Sequence, residues 1–276
     1  MQKTERKYTK RKMRKKGSFV NVVKVDVFRV FSTPPFYAAC LLLFLVNMFS
    51  ICNEAKPDEG CIVYYFTVFI FDGAFSVVIP FLGTLPFSNS FCVDWKNSYF
   101  KSLLIRCSIN KYCWSKVVVT AFSAFLIVMM GNILSSLFLS IQWPLIGNEY
   151  YEFGYSIYDN NVIGQLIDFH PLLYLFARFS LQGVAAAFWA VFTLFISSFS
   201  TNLYVVYATP IIGYYVAIHF PLPYYLKLNV LTGGRTNLGS LALSVLFPVL
   251  FFVFQIIIFG CFFRIQIGRK LAHENS

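Results

Sequence analysis

Long apolar runs constrain this chain more than any other feature. A run of about 18 or more apolar residues can cross the roughly 30 Å hydrocarbon core of a bilayer as a helix. Six such runs follow one another, at 34–52, 61–87, 117–141, 173–197, 203–220 and 241–263. The fifth is the shortest and carries Pro210, and the second is long enough to tilt or kink, with Pro80 and Pro86 near its end. These runs use up about half of the 276 residues and leave no room for a separate soluble domain. Charged residues make up 13%, against about 25% in soluble domains. The expected fold class is an all-α polytopic membrane protein.

The net charge of +11 is unevenly spread. Residues 3–29 carry eleven Lys and Arg, and the segment 88–116 carries Lys96, Lys101, Arg106, Lys111 and Lys116. The tail adds Arg264, Arg269 and Lys270, while the alternate loops hold Glu54, Asp58, Glu59, Glu149, Glu152, Asp159 and Asp168. Basic loops stay cytoplasmic, so six spans with both termini cytoplasmic are expected in a plasma membrane. The loop around 221–240, with Lys227 and Arg235, goes weakly against that rule. The basic start is read as a disordered topology anchor over residues 1–16, resting on anionic lipid. The apolar run behind it is too long for a secretory h-region, and no A-x-A-like site follows. No folded domain presents it to nucleic acid, so no nucleic-acid partner is expected. Residues 17–33, apolar with Asn21, Lys24, Asp26 and Arg29 interspersed, suit an interfacial helix, since a lone strand would leave backbone groups unpaired. The spans then occupy 34–263, and residues 264–276 form a cytoplasmic tail.

Catalytic and metal motifs are missing. His170, His219 and His273 lie far apart, and seven cysteines form no C-x-x-C pair. Cys52 and Cys61 bracket the first outer loop, where an oxidising exterior would let them close a disulfide. The run Gly233–Ser240 resembles a phosphate loop only slightly: it lacks the lysine that reaches the phosphates. No cofactor is expected on this chain, and no enzyme activity. Two ionisable residues fall within spans, Asp72 in the second and Arg178 in the fourth, with Gln182 one helical turn after Arg178. Intramembrane charges face a partner or a cavity, so these three are candidates for a substrate pathway, or an Asp72–Arg178 pair for its gate. The bland alternative has Arg178 snorkelling to the outer surface and Asp72 protonated or solvated.

The segment 88–116 stands out as wet and basic within an oily chain. Trp95, Tyr99 and Leu103 recur at helical spacing, with Phe100, Leu104 and Cys107 beside them, while Asp94, Lys96, Asn97, Lys101 and Ser102 lie mostly away from that stripe. This is the pattern of a short amphipathic helix that lies on the membrane face or docks into a partner's groove. Asp94, Ser98, Arg106, Ser108, Tyr112 and Lys116 together resemble the cytoplasmic region of the type-two family of ATP-binding-cassette exporter permeases. That family shows an acidic residue, a small residue, an Arg-x-x-Ser/Arg cluster, a Tyr or Leu, and a Lys entering the third span. The layout of interfacial helix and six spans is similar too. Ser98 stands where glycine is common and Asn110 where a second arginine is common, so the register of the match is loose. The resemblance implies a permease that pairs with a second permease subunit and with separate ATPase subunits, which hydrolyse the ATP. It places the ATPase contact on Asp94, Trp95, Tyr99, Lys101 and Arg106. An apolar or amphipathic substrate would move outward. The alternatives are a non-transporting accessory, immunity or sensor subunit, and a secondary transporter.

Overall fold

A computed structural model describes residues 18–52, 60–71, 77–100, 103, 107–147, 166–167, 170–233, 236 and 238–274. Among them the chain is all-helical, without a strand. Helix α1 spans Phe19–Phe31 and α2 Pro34–Cys52. Helix α3, Ile62–Tyr65, runs on into a π-helix at Phe66–Phe71. Then come α4 (Val78–Thr84), α5 (Ser90–Lys96) and α6 (Ile109–Leu139). The chain continues with α7 (Pro171–Ser197), α8 (Leu203–His219), the short α9 (Leu228–Thr232) and α10 (Leu241–Glu274). Pro34 and Pro171 open α2 and α7, where a missing N–H costs nothing. The Asn202 side chain caps α8 by accepting from the Tyr204 amide at 3.0 Å.

Among the described residues four helices are long and apolar enough to cross a membrane: α2, α6, α7, and α10 over Leu241–Ala272. The other two expected spans hold only shorter apolar helices among the described residues. Within the run 61–87 the described residues form a ten-residue helical stretch, Ile62–Phe71, and the seven-residue α4, and residues 72–76 lie outside the described residues. The run 203–220 is a 17-residue helix with Pro210 inside it, only about 25 Å long at 1.5 Å per residue. Two boundaries also move. The expected third span begins as helix at Ile109 rather than 117, so its first turns carry Lys116 into the bundle. The last continues as helix through the expected tail to Glu274.

Helix α7 is the most enclosed of the four and α10 the least. Small residues let α7 sit there: Gly183, Ala185, Ala186, Ala187 and Ala190 are all buried on it. In lipid the hydrophobic effect does not hold helices together, so close van der Waals packing over small residues does. Gly131 on α6 shows how close that packing is. A Cβ there would lie 2.6 Å from a Leu43 Cδ and 3.0 Å from Leu43 Cβ on α2. At the end that holds Cys61, Ile62 and Val63 donate backbone hydrogen bonds to Pro144 and Leu145 carbonyls, at 3.0 and 3.3 Å. Cys52 is exposed and Cys61 buried, and no disulfide joins them. The thiol of Cys61 belongs to the core at the head of α3, whereas Cys52 ends α2 at the surface.

Replacing Gly131 by Val should therefore lower stability by about 1–3 kcal/mol through overpacking. The control Gly268→Ala, where an added Cβ meets nothing within 4 Å, should leave stability unchanged or raise it slightly. Thermal unfolding of detergent-solubilised protein measures both.

Candidate functional site

One end of the bundle gathers α1, the turn and helix 85–96, the first turns of α6, and the last turns of α10. Four charges form a closed ring there. Asp26 and Arg29 come from α1, Asp94 from α5, and Lys116 from α6. The Lys116 ammonium, 0% exposed, lies 3.0 Å from Asp26 Oδ1 and 2.9 Å from Asp94 Oδ2. Arg29 Nη2 donates to Asp94 Oδ1 at 2.9 Å, and its Nη1 lies 3.6 Å from Asp26 Oδ1. Two hydroxyls complete the coordination. Tyr112 Oη donates to Asp94 Oδ2 at 3.0 Å, and Ser115 Oγ donates to Asp26 Oδ2 at 2.7 Å. Lys116 also stands 4.6 Å from the centroid of the Phe87 ring, a favourable cation–π placement.

Local sequence explains the convergence. Asp26 and Arg29 are three apart on α1 and so share a face, as do Tyr112, Ser115 and Lys116 on α6. Taking an ion out of water costs several kcal/mol, which only close counter-ions and hydrogen bonds offset. Two anions and two cations meet that condition with no net charge. Burial alone would push the Asp94 carboxyl up. The Lys116 ammonium and the Arg29 guanidinium outweigh it and hold Asp94 below the ordinary carboxylate range. For Arg29, burial works against the charge, and the hydrogen bond to Asp94 with both carboxylates overcomes it and pushes the guanidinium up.

The expected contact residues separate under this geometry. Asp94 is 1% exposed and faces the ring rather than the surface. Trp95 is half-buried, with the Lys270 ammonium of α10 4.4 Å from its ring centroid. Lys96, Asn97, Ser98 and Tyr99 form the exposed tip of the loop. Tyr99 is 40% exposed, with Arg29 5.4 Å from its ring. Lys101 and Arg106 lie outside the described residues. The single amphipathic helix expected here is broken: α5 ends at Lys96, and Ser98 takes φ 54°. That left-handed conformation favours glycine. The break turns Phe100, 1% exposed, inward in place of Tyr99. There Phe100 meets the rings of Phe91, Trp95 and Tyr112 at 5.8, 5.5 and 5.1 Å.

A second polar set lies among the long helices. Asn47 Nδ2 donates to Asn132 Oδ1 at 3.0 Å and to Ser135 Oγ at 3.1 Å, and Asn132 Nδ2 donates to Gln182 Oε1 at 3.2 Å. This line ties α2, α6 and α7 together. Arg178, one turn from Gln182, is 1% exposed, so it does not snorkel. Its guanidinium lies 4.5 Å from the Phe71 ring centroid at the end of the π-helix, and its Nε has no hydrogen-bond partner among the described residues. Asp72 lies outside the described residues, and so does its pairing with Arg178. Asp26, Arg29, Asn47 and Asn132 were not singled out by sequence. An acidic residue within an apolar amphipathic stretch, three before an arginine, was the available signal for the first two.

The chain matches no family model, no curated protein and no solved structure.

Lys116→Met should destabilise the protein by about 3–5 kcal/mol, because it leaves two buried carboxylates with only the Arg29 guanidinium to balance them. Adding Asp26→Asn to that variant should recover part of the loss. The lowered Asp94 carboxyl sets the acid limit. Its contribution is fully present above the unfolded value of about 3.9 and disappears as pH falls through the lower folded value. A pH series of thermal unfolding should therefore hold level into mild acid and drop below about pH 4, with a shallower acid limb in Asp94→Asn.

Proposed function

We propose that this chain is the membrane permease subunit of an ATP-binding-cassette exporter, driven by a separate cytoplasmic ATPase subunit and paired with a second permease subunit. The observation that carries the reading is the charge ring. It ties the N-terminal helix α1 and the loop helix α5 to the base of a long apolar helix, α6. A force applied at the exposed tip Lys96–Tyr99 thus reaches α1 and α6 through ion pairs of 2.9–3.0 Å rather than through a slack loop. Three residues of the family pattern, Asp94, Tyr112 and Lys116, are bonded to one another. A fourth, Ser98, adopts the glycine-like backbone. These contacts support the resemblance as a structural unit rather than a chance string.

In this reading the ATPase seats against the tip, with Tyr99 at its centre and Trp95 behind it. Asp94 acts by holding the tip to α1 and α6. Nucleotide-driven closure of the ATPases pushes the tip and tilts α6 against α7. The apolar or amphipathic cargo then passes outward, with Arg178 and Gln182 along its path. ATP is hydrolysed on the partner, and this chain binds no cofactor. The ends of α1 and α10 nearest the chain termini lie at the same end of the bundle, where Lys270 reaches Trp95. Six crossings of the plasma membrane with both termini cytoplasmic accord with that arrangement.

Purified in mild detergent together with the ATPase subunit encoded beside it, the wild-type chain should hold that subunit and support ATP-dependent efflux from vesicles. Tyr99→Ala and Trp95→Ala should each weaken the association by about 2 kcal/mol, roughly 30-fold, as aromatic anchors at interfaces do. Full association and full transport in the double variant would reject the tip as the contact.

A further inference from the structure

The end of the bundle that carries the charge ring stands clear of the hydrocarbon. On α6 the exposed apolar side chains run from Val118 to Phe138, about 30 Å at 1.5 Å per residue and so about one bilayer core. On α10 they run from Leu243 to Ile265. The first turns of α6 and the last turns of α10 are left over. Both lie at the end that holds the loop tip, where Lys270 of α10 meets Trp95. The tip itself is polar: Lys96, Asn97 and Ser98 are exposed around one aromatic ring, Tyr99.

Charge at this end is one-sided. Among the described side chains the only carboxylates are Asp26 and Asp94. They are 4% and 1% exposed, and the ring balances them with Arg29 and Lys116. The ring is therefore neutral and contributes no surplus. The surplus lies outside it, in Lys96 on α5 and in Arg264, Arg269 and Lys270 on α10. Lys270 donates to the Ser198 carbonyl at 3.3 Å, and Arg264 to Asn110 Oδ1 at 2.7 Å. Lys96 and Arg269 are exposed, and both described carboxylates are held by the ring.

Resting on the permease reading, we propose that the tip fits an acidic groove on the partner ATPase, in which an apolar slot takes Tyr99 and carboxylates face Lys96 and Arg269. Opposite charges across an interface act mainly on the rate of encounter and on the choice of partner. Anionic lipid is the competing partner for cations near a membrane. A segment that enters the headgroups presents an apolar face, and α1 does so with Val20, Val25 and Phe28 around Lys24. The tip offers a single tyrosine, and the turns that carry it stand beyond the bilayer core.

The test is the association rate of the ATPase subunit encoded beside this chain. The full chain is held in nanodiscs of phosphatidylcholine alone, or of phosphatidylcholine with phosphatidylglycerol. From low to high salt the rate should fall about tenfold. Lys96→Glu with Arg269→Glu should slow association by about tenfold at low salt in both kinds of nanodisc, and Lys96→Gln with Arg269→Gln by less. Lys227→Glu, exposed past the far end of α8, is the control and should leave the rate unchanged. An unchanged thermal midpoint reports that each variant is folded. Association indifferent to salt and to the double reversal would overturn the acidic groove and leave the permease reading standing. A reversal effect confined to nanodiscs with phosphatidylglycerol would assign these cations to lipid and overturn it as well. Absence of association by the wild-type chain at every salt concentration would overturn the permease reading and the acidic groove together.

Discussion

The position of Lys116 between two buried carboxylates governs how the rest of this end of the molecule is arranged. A fully buried ammonium is tolerated only with close counter-charges, and its two come from different parts of the chain, Asp26 on α1 and Asp94 on α5. That requirement brings α1 back against α6 and holds α5 beneath it. Arg29 then closes the ring from the outside by bridging the same two carboxylates. Long-range ionic contacts replace the hydrophobic drive that a membrane does not supply between helices. The exposed loop tip is consequently attached on three sides: to α1, to α6, and through Trp95 and Lys270 to α10.

Much of the architecture was legible in the apolar runs. The all-helical character, the four long spans and the helix ahead of the first span follow from run length and from the need to satisfy backbone groups in lipid. In the run 61–87 hydropathy does not register backbone form. Its first half is apolar throughout, yet it passes into a π-helix at Phe66–Phe71. The helical stripe Trp95–Tyr99–Leu103 misled for a related reason. Periodicity assumes one continuous helix, and Ser98 in a left-handed conformation interrupts it, so Tyr99 stays exposed while Phe100 turns inward. The charge ring was not legible. Asp26, Asp94 and Lys116 are spread over ninety residues, and each reads locally as a solvated charge at a membrane surface. Of the intramembrane residues, Gln182 and Arg178 are buried as their placement in a span suggested. Asn47 and Asn132 passed unnoticed because asparagine in an apolar run carries no charge to mark it.

The bundle thus has two polar connections of different character. Near the middle, neutral groups join α2, α6 and α7 through hydrogen bonds of 3.0–3.2 Å, each worth about 1 kcal/mol. At the end that carries α1, ionic contacts join α1, α5 and α6, and breaking any one leaves a charge stranded. A force at the loop tip would shift the amide line before it parted the ring. This difference in strength is what the proposed coupling role requires: a stiff attachment at the loop and a weaker, rearrangeable one among the spans.

Whether the ring holds the loop tip to α1 is measured most directly by pulsed electron paramagnetic resonance between spin labels at Lys24 and Asn97, both exposed. In the otherwise wild-type protein the distance distribution should be single and narrow, and in Lys116→Met it should broaden or split. A distribution that stays equally narrow after loss of Lys116 would contradict the ring as the element joining them.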